Sequence, residues 1–253
     1  MSLTSLCNVF ADNLITEFDN MMQIAKYYKV IAIDTEFPGA LEKKPFWHGN
    51  APEAEWSYVN NTVPRTKCIQ LAFSFFREDG SRPVGVNTWQ FNFLFDPSKD
   101  LNDSNSIKFL VEHGLDIKQL AHKGIEHMIF AQLLARSGLL LAQDITWVLF
   151  YGNFDLAYIL CMVYPRRWPS SPKGFIEEVG NVFPRFYDLK VMIQDRPIRA
   201  RGLQRLAGEL GIIRVGQAHS AGSDAFLTGQ CTASNLPYSH NDETLEKNYT
   251  TQS

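Results

Sequence analysis

The sequence predicts an α/β fold, a sheet of mixed strand direction flanked by helices in a single domain. Two observations carry that expectation. Short runs rich in β-branched and aromatic residues alternate along the chain with segments whose apolar residues recur every three or four positions. A chain of 253 residues, 45% hydrophobic and 20% charged, matches globular averages and is long enough to bury a full core without disulfides or structural metal.

The elements follow in order. Leu14, Ile15, Phe18, Met21, Met22 and Ala25 recur at helical steps, so residues 12–28 are expected to form a helix. Val30-Ile31-Ala32-Ile33 fits a buried strand that runs into Asp34-Thr35-Glu36-Phe37-Pro38-Gly39, where Pro38 and Gly39 stop regular structure. Residues 41–66, with their charges and prolines, are expected to form a long loop. Cys68 to Phe76 and Thr88 to Phe95 are expected strands, separated by the turn residues Glu78-Asp79-Gly80-Ser81.

An apolar pattern starts at Ser106 and ends at Gly114, and a helix is expected from Gly124 to Arg136. Ile145 to Phe150 is an expected strand. Asn153 would cap a helix from Phe154 to Val163. Ser170 or Ser171, followed by Pro172, opens a helix through about Val182. Phe186 to Val191 is an expected short strand, and Leu203 to Leu210 an expected helix with Gly211 past its end. A last helix is expected from about Ser223 to Cys231. The domain is thus expected over residues 1–231, and the polar residues 232–253 form an expected disordered tail.

Composition excludes several classes of function. Lys+Arg 24 against Asp+Glu 27 gives a net charge of -3, which argues against binding nucleic acid by bulk positive charge. A local excess remains between Arg185 and Arg214. There Arg185, Lys190, Arg196, Arg199, Arg201, Arg205 and Arg214 face only Asp188, Asp195 and Glu209. This segment is either a rim that tracks phosphates or a solvated face. The four cysteines, Cys7, Cys68, Cys161 and Cys231, show no metal-type spacing and are expected to be free thiols. No signal-peptide pattern and no membrane-length apolar run occurs, so a soluble intracellular protein with no membrane partner is expected. Phosphate-loop, dinucleotide and nucleophile-elbow motifs are absent. His122 and His127, five apart, do not align on one helix face for metal binding.

The chemistry-bearing residues are acids. Asp34 and Glu36 lie two apart at the end of a buried run, and on a strand they would point to the same face. Paired carboxylates there either hold a divalent cation such as Mg²⁺ or Mn²⁺ or are solvated residues past the strand. Asp155 lies in the first turn of an apolar helix, as a ligand or as an acid favoured by the helix dipole. His219-Ser220-Ala221-Gly222-Ser223-Asp224 pairs a residue able to accept a proton near neutrality with a further acid, and Gly222 would loosen the backbone between them. His219 has a structural alternative as an ordinary hydrogen-bonding residue. Together the four carboxylates could hold two divalent ions roughly 4 Å apart. That arrangement suits phosphodiester hydrolysis, with His219 taking the proton of an attacking water and a nucleoside monophosphate leaving. Phe37 and Trp47 could stack on bases or belong to the core.

Ile31-Ala32-Ile33-Asp34-Thr35-Glu36-Phe37-Pro38-Gly39 closely resembles the first motif of the Caf/Pop-type deadenylases, the DEDD-class exonuclease subunits of the Ccr–Not complex. Thr88-Trp89-Gln90-Phe91-Asn92-Phe93, the segment around Asp155, Phe186-Tyr187-Asp188-Leu189-Lys190, and His219 to Asp224 with Leu227-Thr228-Gly229 resemble that family's later blocks in order. The last of these is of the DEDDh type.

The resemblance implies a ribonuclease-H-like fold, two Mg²⁺ or Mn²⁺ ions, and 3′→5′ removal of mRNA poly(A) as AMP. It implies Asp34, Glu36, Asp155 and Asp224 as metal ligands and His219 as general base. It further implies a Not-type scaffold and other Ccr–Not subunits as partners, in cytoplasm and nucleus. The family continues past the Leu227-Thr228-Gly229 block with an apolar helix, so the chain is expected to be C-terminally short. Two other readings follow: a weakly active or inactive paralogue that mainly occupies the scaffold, and a single-strand exonuclease without adenine preference.

Overall fold

The computed structural model describes residues 5–42, 51–194 and 202–235. Six strands are present among them: β1 (Ser5–Val9), β2 (Val30–Glu36), β3 (Gln70–Phe76), β4 (Val86–Asn92), β5 (Thr146–Leu149) and β6 (Phe186–Asp188). They form one sheet in the order β1-β4-β3-β2-β5-β6. The β2–β3 and β3–β4 pairs are antiparallel, whereas β1–β4, β2–β5 and β5–β6 are parallel. The sheet is therefore mixed, as expected, and the architecture is ribonuclease-H-like.

Helices cover both faces. The first covering layer comprises α1 (Leu14–Ala25), α2 (Ala51–Thr62), α5 (His127–Arg136), α6 (Asn153–Val163) and α7 (Pro172–Val182). Leu14, Phe18, Trp56, Phe130, Leu156 and Phe175 from this layer share a core with Ile31, Ile33, Phe73, Phe91 and Trp147 of the sheet. The opposite layer comprises α8 (Leu189–Met192), α9 (Leu203–Glu209) and α10 (Ala221–Asn235). Leu189, Leu206, Phe226 and Leu227 pack there on Val30, Ala32, Phe76 and Val148. Odd and even residues of β2 thus face different layers, which is why its apolar run is continuous rather than alternating. Two short helices, α3 (Ser104–Glu112) and α4 (Ile117–Lys123), close the end of the sheet near β1 around Ile69, Phe95, Leu110 and Leu120.

Several expectations are corrected. The stretch expected as a loop from 41 to 66 contains α2 and a 3₁₀ turn at Val63–Arg65. Its prolines and charges hid Trp56, Val59 and Val63, whose helical spacing brings all three into the core. β2 runs through Glu36, paired residue by residue with β3, so Asp34 and Glu36 lie on the strand as expected. β1 and α4 were not foreseen. Asn153 is the first helical residue of α6 rather than its cap, which is Gly152. The strand at Phe186 ends at Asp188, where α8 begins with Asp188 accepting from the Lys190 amide. Ser171 caps α7 as expected, its hydroxyl accepting from the Gly174 amide.

The last helix extends four residues beyond Cys231. Thr232 is buried and returns its hydroxyl to the Thr228 carbonyl. Most of the expected tail, 236–253, lies outside the described residues. All four cysteines are free, Cys68 and Cys231 buried and Cys7 and Cys161 half-buried. No helix among the described residues is long and apolar enough to cross a membrane.

Candidate active site

The two covering layers converge on the end of β2. Asp34 and Glu36 lie on the same strand face as Val30 and Ala32, the face covered by α10. Asp224, in the first turn of α10, therefore meets them. One ligand oxygen from each of Asp34, Glu36 and Asp224 can be chosen so that all lie within 4.8 Å of one another. Thr35, between the two strand acids, points to the opposite layer. Its hydroxyl donates to Oδ1 of Asp155 at 2.6 Å, bringing the fourth acid from α6 to the same strand end. Asp155 is 7% exposed, the most enclosed of the four.

The close approach of α10 has a specific cause. Ala72 of β3 packs on Ala221 and Ala225, so the helix lies against the sheet on small side chains. A Cβ on Gly222 would stand 2.0 Å from Cδ1 of Leu6. Gly222 thus sits inside the helix as a packing residue, not as the backbone hinge that the sequence suggested. The helix start is held by amides. Gln90 Oε1 accepts from the Ser220 hydroxyl at 2.9 Å and the Gly222 N–H at 2.8 Å. On the α6 side, the buried carboxylate of Asp188 accepts from the amides of Tyr151 and Gly152 at 2.8 and 2.9 Å. That fixes the turn from which Asp155 projects. Tyr151 takes a positive φ of 59° there.

Like charges in a desolvated site resist ionisation. Burial, reinforced by Asp155, Asp224 and Glu36, holds the Asp34 carboxyl well above the usual range. Burial with Asp224 and Asp155 nearby pushes Glu36 up to about 8. Burial pushes Asp155 to about 7 against the lowering influence of the Thr35 hydrogen bond. The donor set is all carboxylate oxygen, suited to a hard divalent cation, and a cation would relieve the repulsion. The residues present fit such an ion.

Arg214 enters the group directly. Its guanidinium donates to Oδ1 of Asp224 and, at 3.1 Å, to the Ser223 hydroxyl. Only 12% of that side chain is exposed, so Arg214 is engaged with Asp224 rather than lining a phosphate rim. Elsewhere in the basic segment Arg205 lies beside Glu209, and the ammonium of Lys190 lies over the Phe150 ring. Arg196, Arg199 and Arg201 fall outside the described residues, as does Trp47. Phe37 stacks on Phe154 with ring centroids 4.7 Å apart and is half-buried.

His219 stands at the rim rather than among the carboxylates. It is exposed, holds a positive φ of 62°, and packs its ring against Phe109 and His113. Partial desolvation by its ring neighbours lowers its pKa below the ordinary 6.5 despite the nearby Asp224, which favours the neutral imidazole near pH 7. Beneath it, Glu36, Phe37, Gly39, Asn105, Ser106 and Phe109 line a groove of about 350 Å³ that starts at the acid group. Gly39, at φ 79°, lets the chain pass against Ser106 there, because a Cβ would stand 2.2 Å from its hydroxyl oxygen. His122 and His127, which do not align on one helix face for metal binding, lie on separate helices, α4 and α5. His127 stacks on Phe93 and bonds the Cys68 carbonyl.

Thr35, Gln90 and Asp188 were not assigned site roles from the sequence, and Arg214 was named only within the basic segment. For Thr35 the signal was the strand alternation that opposes it to Asp34 and Glu36; Gln90 and Asp188 lay inside the motif blocks without a role attached.

Comparison with known proteins places this geometry. The CAF1 family ribonuclease model matches residues 9–133. Over 228 residues, 90% of this chain and 68% of the relative, the chain is 33% identical to "Poly(A) ribonuclease pop2" of Schizosaccharomyces pombe. Its structure matches the Mg²⁺- and Mn²⁺-bound form of S. pombe Pop2p with a TM-score of 0.86 and 33% identity, over 91% of both chains. It also matches a chain in the structure of the yeast NOT1 MIF4G domain co-crystallised with CAF1. There the TM-score is 0.73 and the identity 28%, over 90% of this chain and 86% of that one. With its fold, its order of motifs and its extended similarity in agreement, the chain belongs to the CAF1 family of ribonucleases.

Proposed function

We propose that this chain is a divalent-metal-dependent 3′→5′ exoribonuclease that shortens poly(A) tails and releases AMP. The observation that carries the reading is the convergence of Asp34, Glu36 and Asp224 from β2 and α10, with Asp155 drawn alongside by Thr35. Four carboxylates suit two Mg²⁺ or Mn²⁺ ions. When bound, the ions would lower the pKa of water and stabilise the charge that develops on the leaving 3′-oxygen.

The chain's own residues supply the rest. Asp34, Glu36, Asp155 and Asp224 hold the ions, and Arg214 fixes the orientation of Asp224. The neutral imidazole of His219 accepts the proton of the attacking water. The groove between Glu36 and Phe109 adjoins the acid group and takes the terminal nucleotide. The S. pombe relative's name supports poly(A) as substrate. The yeast NOT1 MIF4G co-crystal supports a Not-type scaffold as partner.

The test is an RNA labelled at its 5′ end and carrying 3′ adenosines, incubated with the purified chain and Mg²⁺ or Mn²⁺. A descending ladder with AMP as product is expected, lost in Asp34→Ala and in Asp224→Ala. No shortening with either metal would overturn the reading, and wild-type rates in either variant would overturn the ligand assignment.

A further inference from the structure

A second cavity, of about 370 Å³, lies on the far side of His219, at the sheet end formed by β1, β4 and β3 and the α3–α4 turn. Its lining is dominated by carboxamides: Asn8, Gln70, Gln90, Asn92, Gln119 and Gln217. The inner four are committed largely to one another and to the backbone. Gln70 Nε2 donates to Asn92 Oδ1 at 2.8 Å, Gln90 Nε2 to Asn8 Oδ1 at 2.9 Å, and Asn92 Nδ2 to the Val9 carbonyl at 3.2 Å. These bonds build a fixed floor.

The outer two differ. Among the described residues, no side chain or backbone group pairs with the side-chain amide of Gln119 or of Gln217. Each therefore offers a donor and an acceptor into the cavity. Gln217 is steered there by packing over Gly114, where a Cβ would stand 3.2 Å from its Oε1.

The chemistry of the lining selects its ligand. No Lys or Arg lines it, and its one carboxylate, Asp116, is engaged as the cap of α4, accepting from the backbone N–H of Gln119. A phosphate therefore finds no counter-charge. A neutral planar group that both donates and accepts hydrogen bonds is what an unpartnered carboxamide recognises, and adenine presents that pattern along one edge. A ring wall stands beside it: His113 packs on Phe109 with centroids 4.1 Å apart and on His219 at 4.8 Å. The same wall borders the groove that begins at Glu36, since Phe109 lines that groove and His219 lines this cavity. The two pockets are thus neighbours across one aromatic partition.

We propose that the amide cavity is a nucleobase subsite that reads adenine next to the nucleotide being removed, with Gln119 and Gln217 as the reading groups. This deepens, and rests on, the exoribonuclease reading above. Binding is measured by fluorescence anisotropy on the wild-type chain in EDTA, where no hydrolysis occurs, with labelled six-nucleotide oligo(A) and oligo(U). The wild type is expected to prefer oligo(A). The Gln119→Leu/Gln217→Leu double variant is expected to lose about tenfold of that preference, within the range for one bidentate base contact. The variant should fold, because neither amide holds a partner.

A wild type without preference, or a preference unchanged in the double variant, overturns the subsite. The two hypotheses separate when rates are measured with Mg²⁺ on both RNAs. Shortening whose adenine-to-uracil ratio is the same in wild type and variant overturns the subsite and leaves the nuclease standing. Loss of binding preference in the variant of a wild type that shortens neither RNA supports the subsite and removes the nuclease.

Discussion

Thr35 shows how much one residue decides in this site. It separates Asp34 from Glu36 so that both acids share the α10 face, and it reaches through the strand to hold Asp155 from the opposite layer. The result is a group of carboxylates whose ionised forms repel one another in a desolvated pocket. Asp34 is the centre of that repulsion, with Asp155, Asp224 and Glu36 all raising its pKa beyond the effect of burial. Replacing it by the isosteric Asn removes one charge and keeps the shape. In EDTA at pH 8, Asp34→Asn should therefore raise the melting temperature by roughly 5 °C, the shift expected for about 2 kcal/mol in a chain this size. A melting temperature at or below that of the wild type would show that the acids are already relieved by their surroundings. The acids were legible in the sequence because strand spacing is short-range information. Arg214 was not, because its partner Asp224 lies ten residues away, beyond a loop whose path no local pattern specifies.

At the scale of elements, α10 sets the site by how closely it lies on the sheet, and glycines set that distance. Gly229 sits where a Cβ would stand 2.0 Å from Cε2 of Phe76, a ring that is 1% exposed and stacked on Phe226. Neither the ring nor the helix can withdraw without opening the core around Val30 and Ala32. Gly229→Ala should destabilise the chain by roughly 1–3 kcal/mol, the usual cost of overpacking. Phe76→Leu in the same chain should recover part of the loss, a coupling that denaturant unfolding of the two single variants and the double variant reads directly. Strictly additive losses would mean that the helix has room to shift. The sequence showed α10 as a helix but not why it carries two glycines, since helix propensity disfavours them and only the facing strand explains them. The same gap hid α2: its polar and proline residues read as loop, and the burial of Trp56 and Val59 under α6 and α7 supplies what local propensity lacks.

The whole molecule gathers the four acids of the candidate site at one sheet end, so its stability should report on their charge. Glu36 rises from an ordinary 4.5 to about 8 and Asp155 from 3.8 to about 7 on folding. Between the unfolded and folded values, roughly pH 4 to 8, the folded chain holds more protons than the unfolded one. Stability then falls as pH rises through that window, is greatest below it and levels off above it. His127 works the other way, since burial lowers its pKa and favours the neutral ring as pH rises. His219, whose pKa desolvation also lowers, acts in the same direction, and both effects are confined to pH values below the ordinary 6.5, so the acids dominate the slope. A divalent ion held by the ionised carboxylates, as proposed, would stabilise the folded chain by mass action, more strongly where those carboxylates are least comfortable alone. The melting temperature in EDTA should therefore decline from pH 5 to pH 8. Saturating Mg²⁺ or Mn²⁺ should raise it far more at pH 8 than at pH 5, and Asp34→Asn should flatten both responses. A melting temperature that climbs with pH in EDTA, or a metal effect equal at both pH values, would separate the acid group from the cation chemistry proposed for it. The net charge of -3 belongs to the same argument: four of its acids converge at one sheet end, where charge is costly and a bound cation would offset it.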